Sequence, residues 1–195
     1  MKSLPITREK AWELVKKYNS DESDLKHYLE SEAVMRELAV YLGEDEDYWG
    51  MLGLLHDLDW GITKDNVETH LTKVPEILRN AGFDQEFIST LVSHGYGFEE
   101  LPHLKNKERT KKIEFALASA ETITGLIHAY ALMRGNRISD MEASGLKKKF
   151  KDKTFAAKVE RHIILESEKI GLSLEEFFKI AIEGIKKIKE KVGLI

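Results

Sequence analysis

The chain has 195 residues, 42% of them hydrophobic and 33% charged, with a formal net charge of −4 and no cysteine. That is enough length and apolar content for one substantial core. The missing cysteine excludes disulfides and thiolate metal sites, and 30 basic against 34 acidic residues disfavour a general nucleic-acid surface.

Helical periodicity runs through the chain. Thr7 is placed to cap a first helix ending near Tyr18. A second helix is expected from about Asp24 to Leu42, with Gly43 just past its end. Acidic residues from Glu44 to Asp47 suit the start of a third, "DYWGMLGLLHDL", which is apolar nearly all round and so is expected at the centre. Pro75 fits the first turn of a helix starting near Thr72 and closed by Gly82. Asp84 is the expected cap of a short helix with His94 in its last turn. The longest helix is expected from about Lys107 to Arg134. Two capping boxes, Ser139…Glu142 and Ser173…Glu176, predict helices beginning near Asp140 and Leu174, with another from about Thr154 to Lys169 between them.

The fold class is therefore all-α. No repeat or Pro/Gly/Ser linker divides it, so a single domain over residues 1–195 is expected, with a core at about 20–135 and C-terminal helices at about 136–195. The first residues lack an apolar signal region, and no apolar run approaches the roughly 20 residues of a membrane span. A cytoplasmic protein with no membrane partner is the expectation.

Of seven histidines, four fall where helices place them usefully. His27 lies inside the second helix, His56 ends the third beside Asp57, and His70 and His94 sit at helix ends or turns. Helix ends facing one cavity are good places from which to converge imidazoles. Any metal here must be held by imidazole and carboxylate, a donor set suited to Fe, Mn, Co, Ni or Zn. The alternative for "GLLHDLDWG" is a polar helix end with no ligand.

The ordered set resembles the HD-domain (HDIG-type) metal-dependent phosphohydrolases. The matching stretches are "LKHYLESEAVMRELA" around His27, "GLLHDLDW" around His56 and Asp57, and "ALASAETITGLI", whose Glu121 stands where that family normally places an Asp. The resemblance covers roughly Leu25 to Leu132 and implies an HD-type helical bundle with a C-terminal helical extension. Two-metal members carry two further histidines in the intervening region, which maps onto "THLTKVPEILRNAGFDQEFISTLVSHG". It implies His27, His56, Asp57 and Glu121 around one divalent ion, with Asp57 bridging to a second held by His70 and His94. The implied activity is hydrolysis of a phosphomonoester or phosphoanhydride of a small molecule, a nucleotide first among them. One or two divalent ions would serve as cofactor, and a degenerate module that binds metal or nucleotide without turnover is the alternative.

Phosphate needs positive charge nearby. Lys64 and Lys73 flank His70, while Arg36, Arg109, Arg134 and the run "LKKKFKDK" are looser candidates. Asp59 is placed to orient a ligand histidine or a water, or to cap a turn. Trp60 is placed to stack on a base or to fill the core. His103, His128 and His162 fall outside the pattern. The C-terminal helices complete the pocket, form a homodimer interface, or cover the core.

Overall fold

The computed structural model describes residues 3–195. Those residues form an all-helical bundle with no strand. Thr7 caps α1 (Arg8–Tyr18), accepting from the Lys10 amide. Helix α2 (Glu22–Leu42) ends on Gly43 in the left-handed conformation, and Asp45 caps α3 (Glu46–Leu55). A turn and the short α4 (Trp60–Thr63) follow. Pro75 occupies the first turn of α5 (Val74–Asn80), and Asp84 caps α6 (Gln85–Val92).

Helix α7 (Lys112–Met133) is the longest. It starts five residues later than Lys107, because Glu114 reaches back to the Thr110 and Lys111 amides and closes the helix N-terminus there. Among the described residues it is the one helix long and apolar enough to cross a membrane by length and composition, a property the run-length reading missed. In the bundle 61% of its most apolar window is buried, as befits a core helix.

The C-terminal third departs most from expectation. Ser139 does not cap a helix: its hydroxyl accepts from Lys189 Nζ and its amide donates to the Ile195 carbonyl. Helix α8 (Ala143–Lys151) instead starts after Glu142 with no side-chain cap. The expected helix over Thr154–Lys169 breaks into turns, the short α9 (Arg161–Ile164) and a 3-10 turn, Leu165–Ile170. The second capping box forms as expected, with Ser173 and Glu176 bonded reciprocally at the start of α10 (Leu174–Lys187).

Packing centres on α2, which lies against α3, α10 and α7. Two glycines allow these crossings. A Cβ on Gly53 of α3 would stand 2.6 Å from the Ser31 carbonyl oxygen, and one on Gly184 of α10 would stand 2.8 Å from that of Ala33. Close backbone contact fixes where α3 ends relative to α2, and so places His56 against His27.

Candidate metal centre

His56 follows the last residue of α3 in helical conformation, and its ring Nδ1–H donates to the Gly53 carbonyl at 2.8 Å. His94 repeats the device after α6, donating from Nδ1 to Leu91 O at 2.7 Å. Both bonds reach three residues back and leave Nε2 pointing away from the backbone. His27 is oriented from α7. Thr124 commits its hydroxyl proton to the Glu121 carbonyl (2.6 Å), so its oxygen accepts the His27 Nδ1–H at 2.9 Å.

His70 is set by Asp59, which is completely buried. Asp59 Oδ1 accepts from His70 Nδ1 at 2.9 Å and from the Leu71 amide at 3.1 Å, while Oδ2 accepts from the Lys73 and Val74 amides at 2.9 and 3.3 Å. These bonds hold Leu71 at φ 65°, a conformation costly for a residue with a side chain. The turn after Asp57 is pinned from α1 and α2: Asn19 donates to the Leu58 carbonyl, and the Tyr28 hydroxyl lies 2.8 Å from the Asp57 carbonyl oxygen.

All four imidazoles thus present Nε2 to one carboxylate. His70 and His94 Nε2 each lie 3.1 Å from Asp57 Oδ1, and His56 and His27 Nε2 lie 3.4 and 3.8 Å from Oδ2. With each Nδ1 set as a donor, a neutral ring offers its Nε2 lone pair, and a carboxylate offers only lone pairs in return. Such an arrangement needs a proton or a metal ion between the nitrogens and Asp57: burial lowers His56 and His70, but Asp57 overcomes it and raises both. The donors form two groups sharing Asp57: His27, His56 and Asp57, and Asp57, His70 and His94, the ligand atoms within each lying within 4.8 Å of one another. Histidines whose second nitrogen is anchored to a carbonyl or carboxylate are the usual ligands of divalent transition metals. The residues present fit such an ion.

Electrostatics agree. Burial, then the neighbouring His56, lowers His27 to about 3, and burial also lowers His94, so both stay neutral and able to take a metal ion. Burial pulls the same way at His70, but Asp57 and Asp59 overcome it and lift the group to about 10. Burial likewise opposes ionisation of Asp57, yet His56 and His70 hold its carboxyl well below the usual range. Without a metal, the pocket draws in a proton.

Glu121 lies on the same cavity, outside both donor groups. Its Oε1 accepts from the Thr122 hydroxyl at 2.6 Å, and burial pushes its carboxyl up to about 7. Asp59, expected to act on water or on a ligand, stands behind His70. Lys64 points elsewhere, its Nζ 3.5 Å from Asp24 and 4.0 Å from Asp21. Arg36 is taken up by Glu32, Glu46 and Asp47, and Arg134 by Asp140. Arg109 is buried beneath the His94 turn, donating to the Ser93, His94 and Tyr96 carbonyls and pairing with Glu166. His128 pairs with buried Glu30, and His162 with Glu160 at the surface. The cavity measures about 270 Å³, with Trp60, Phe98 and Lys158 on its walls. Sequence reasoning missed Thr124, Asn19, Tyr28 and Lys158, whose roles depend on partners 29 or more residues away or on tertiary placement.

An all-α bundle that aims four imidazoles and a carboxylate at common points defines the class: a helical protein with a candidate dinuclear metal centre. The family model described as HD domain matches residues 24–127, which include His27, the His56–Asp57 pair, His70, His94 and Glu121. The chain belongs to the HD-domain family. No curated protein and no solved structure matches it significantly.

Proposed function

We propose that this chain is a metal-dependent phosphohydrolase that cleaves a phosphomonoester or phosphoanhydride of a small molecule, a nucleotide being the leading candidate. The observation that carries this reading is the convergence of four imidazole lone pairs on the two oxygens of Asp57. His27, His56 and Asp57 would hold one divalent ion, and Asp57, His70 and His94 a second. What such ions supply when bound is an activated water and neutralisation of phosphoryl charge. Glu121, whose Oε1 holds Thr122, would join the first group through Oε2.

The chain's own residues then divide the work. Asp57 bridges the two groups of donors. Asp59 fixes the ring plane and tautomer of His70, and Thr124 does the same for His27. Trp60, packed edge-on to His70 with centroids 5.2 Å apart, walls the cavity against water and offers a flat apolar surface. No Ser or Thr in the cavity wall is placed to serve as a nucleophile.

The test is metal content by elemental mass spectrometry on untagged protein, followed by hydrolysis of a nucleotide panel with Mn, Fe, Co, Ni or Zn. Close to two ions per chain and hydrolysis lost in Asp57→Ala, with helicity retained, is the expected result. Full activity in Asp57→Ala would overturn it. One observation favours a binding module without turnover, namely the Glu121 carboxylate engaged by Thr122 instead of the donor groups. Tight nucleotide binding with no turnover under any of the five metals would select that alternative.

A further inference from the structure

The metal-facing cavity is not built by the HD-matched residues alone. Lys158 and Glu160 line it, and both lie beyond residue 127, in the segment expected to be helical and found as turns. Arg161 explains why that segment folds as it does. Its Nε donates to the Phe150 carbonyl at 2.9 Å, Nη1 to Val159 at 3.0 Å and Ala156 at 3.3 Å, and Nη2 to Asp152 at 3.0 Å and to Phe155. One guanidinium thereby satisfies carbonyls that a helix would have bonded internally. It also holds Ala156 at φ 45°, a conformation a Cβ disfavours. Val159 docks the strap on α7, lying 3.4 Å from where a Cβ on Gly125 would stand, one helical turn beyond Glu121.

The strap's charge is arranged for a ligand. Among the described residues lining the cavity, Lys158 is the one Lys or Arg, and it is exposed with no carboxylate within ion-pair distance. Lys64, Arg36 and Arg134 all have such partners. Trp60 and Phe98, apolar and only partly covered, line the same cavity. Two carboxylates, Glu100 and Glu160, also stand on the walls. A single cation on a wall that also carries Glu100, Glu121 and Glu160 suits one phosphoryl group, whereas a longer phosphate tail would meet like charge. The volume, about 270 Å³, falls just under the roughly 300–1,000 Å³ usual for ligand clefts.

We propose that the Arg161-organised strap over residues 152–160 is the anion-recognition wall of this cavity, with Lys158 contacting a single phosphoryl group and Glu100 and Glu160 rejecting longer phosphate chains. The ligand class is a compact phosphomonoester with a flat apolar group placed against Trp60 and Phe98. This rests on the hydrolase reading for its chemistry, although anion binding can be measured without turnover.

The experiment is calorimetric titration of inorganic phosphate and of pyrophosphate into metal-loaded protein, alongside steady-state kinetics on nucleoside mono-, di- and triphosphates. Loss of a charge-assisted contact in Lys158→Ala should weaken phosphate binding about tenfold or more and raise KM in step, with metal content unchanged and binding restored in Lys158→Arg. Arg161→Met should weaken phosphate in the same direction by loosening the strap. Should that variant fail to fold, the Lys158 pair still decides. Glu100→Gln combined with Glu160→Gln should narrow the preference for phosphate over pyrophosphate. Phosphate binding that depends on Lys158 in a protein without turnover would uphold the wall and sink the hydrolase. Hydrolysis whose KM is indifferent to Lys158→Ala would sink the wall and leave the hydrolase standing. Wild-type protein that binds no phosphate would overturn the wall, and absence of turnover on every nucleotide would overturn the hydrolase.

Discussion

The Nε2 atoms of His27 and His56 face each other across 3.0 Å, each with its other ring nitrogen already donating, to Thr124 and to Gly53. Two ring nitrogens at that separation need a proton or a metal ion between them, and Asp57, working against burial, raises His56 so that it carries the proton while His27 stays neutral. Metal-free protein should therefore take up a divalent ion with release of protons, more tightly as pH rises. His56→Ala should weaken one of two ions by more than the 10–100-fold typical of changes behind the ligands. Isothermal titration with Mn or Zn reads both quantities. Two unchanged affinities in that variant would mean that the facing imidazoles hold no ion.

Asp59 shapes the site without touching an ion. Its two oxygens receive His70 Nδ1 and three backbone amides. Asp59→Asn keeps the size but offers one acceptor oxygen where two are needed, and its amide protons would oppose the Lys73 and Val74 N–H groups. Affinity of the ion bound by His70 should fall 10–100-fold. Stability should fall by on the order of 3 kcal/mol as charged hydrogen bonds are lost. Chemical denaturation and metal titration on the same variant separate the two effects.

Glu121 predicts a trade between stability and site chemistry. Its carboxyl is raised to about 7 by burial, above its ordinary 4.5. A raised acid binds protons more tightly folded than unfolded, so metal-free protein should gain stability as pH falls from about 8 toward 5. Glu121→Gln should flatten that slope and stabilise the metal-free protein at pH 8 by about 1–2 kcal/mol, discounted for the group's partial solvent contact. Urea midpoints at pH 5.5 and 8 check this. Glu121→Gln should leave the ion at Asp57, His70 and His94 in place, since Glu121 belongs to neither donor group in the metal-free protein.

What was legible in the chain was local. Thr7, Asp84 and the Ser173…Glu176 box mark helix starts through bonds spanning two or three residues, and all three form. Ser139…Glu142 has the same local pattern, yet Lys189 and Ile195, 50 or more residues away, take up its donors and acceptors. The histidines were legible because helix ends are readable and their convergence follows from helices packing around α2. Lys64 lies near His70 in sequence, but its Nζ stands 3.5 Å from Asp24. Lys158 carried no signal, since nothing near it announces that Arg161 will fold its segment back over α7.

Arg109 links the C-terminal extension to the His94 turn of the candidate metal centre. Its guanidinium donates to three carbonyls of the Ser93–Tyr96 turn and forms a bidentate pair with Glu166 at 2.6 and 3.1 Å. Lysine is a compact point charge that cannot span this fork of acceptors. The three carbonyls gather at Nη1 while Nε and Nη2 hold Glu166, so Arg109→Lys should leave one of these two sets unpaired, lowering stability by roughly 2–4 kcal/mol. Because α6 and its Leu91 carbonyl still anchor the His94 ring, the metal effect should be confined to the ion shared with His70 and weaken it at least tenfold. Glu166→Gln removes only the carboxylate charge and should show a smaller effect in the same direction. Thermal melts with and without added metal test this: the metal-induced rise in Tm should shrink in Arg109→Lys and shrink less in Glu166→Gln. An undiminished rise in both would mean that the His94 turn stands without the extension.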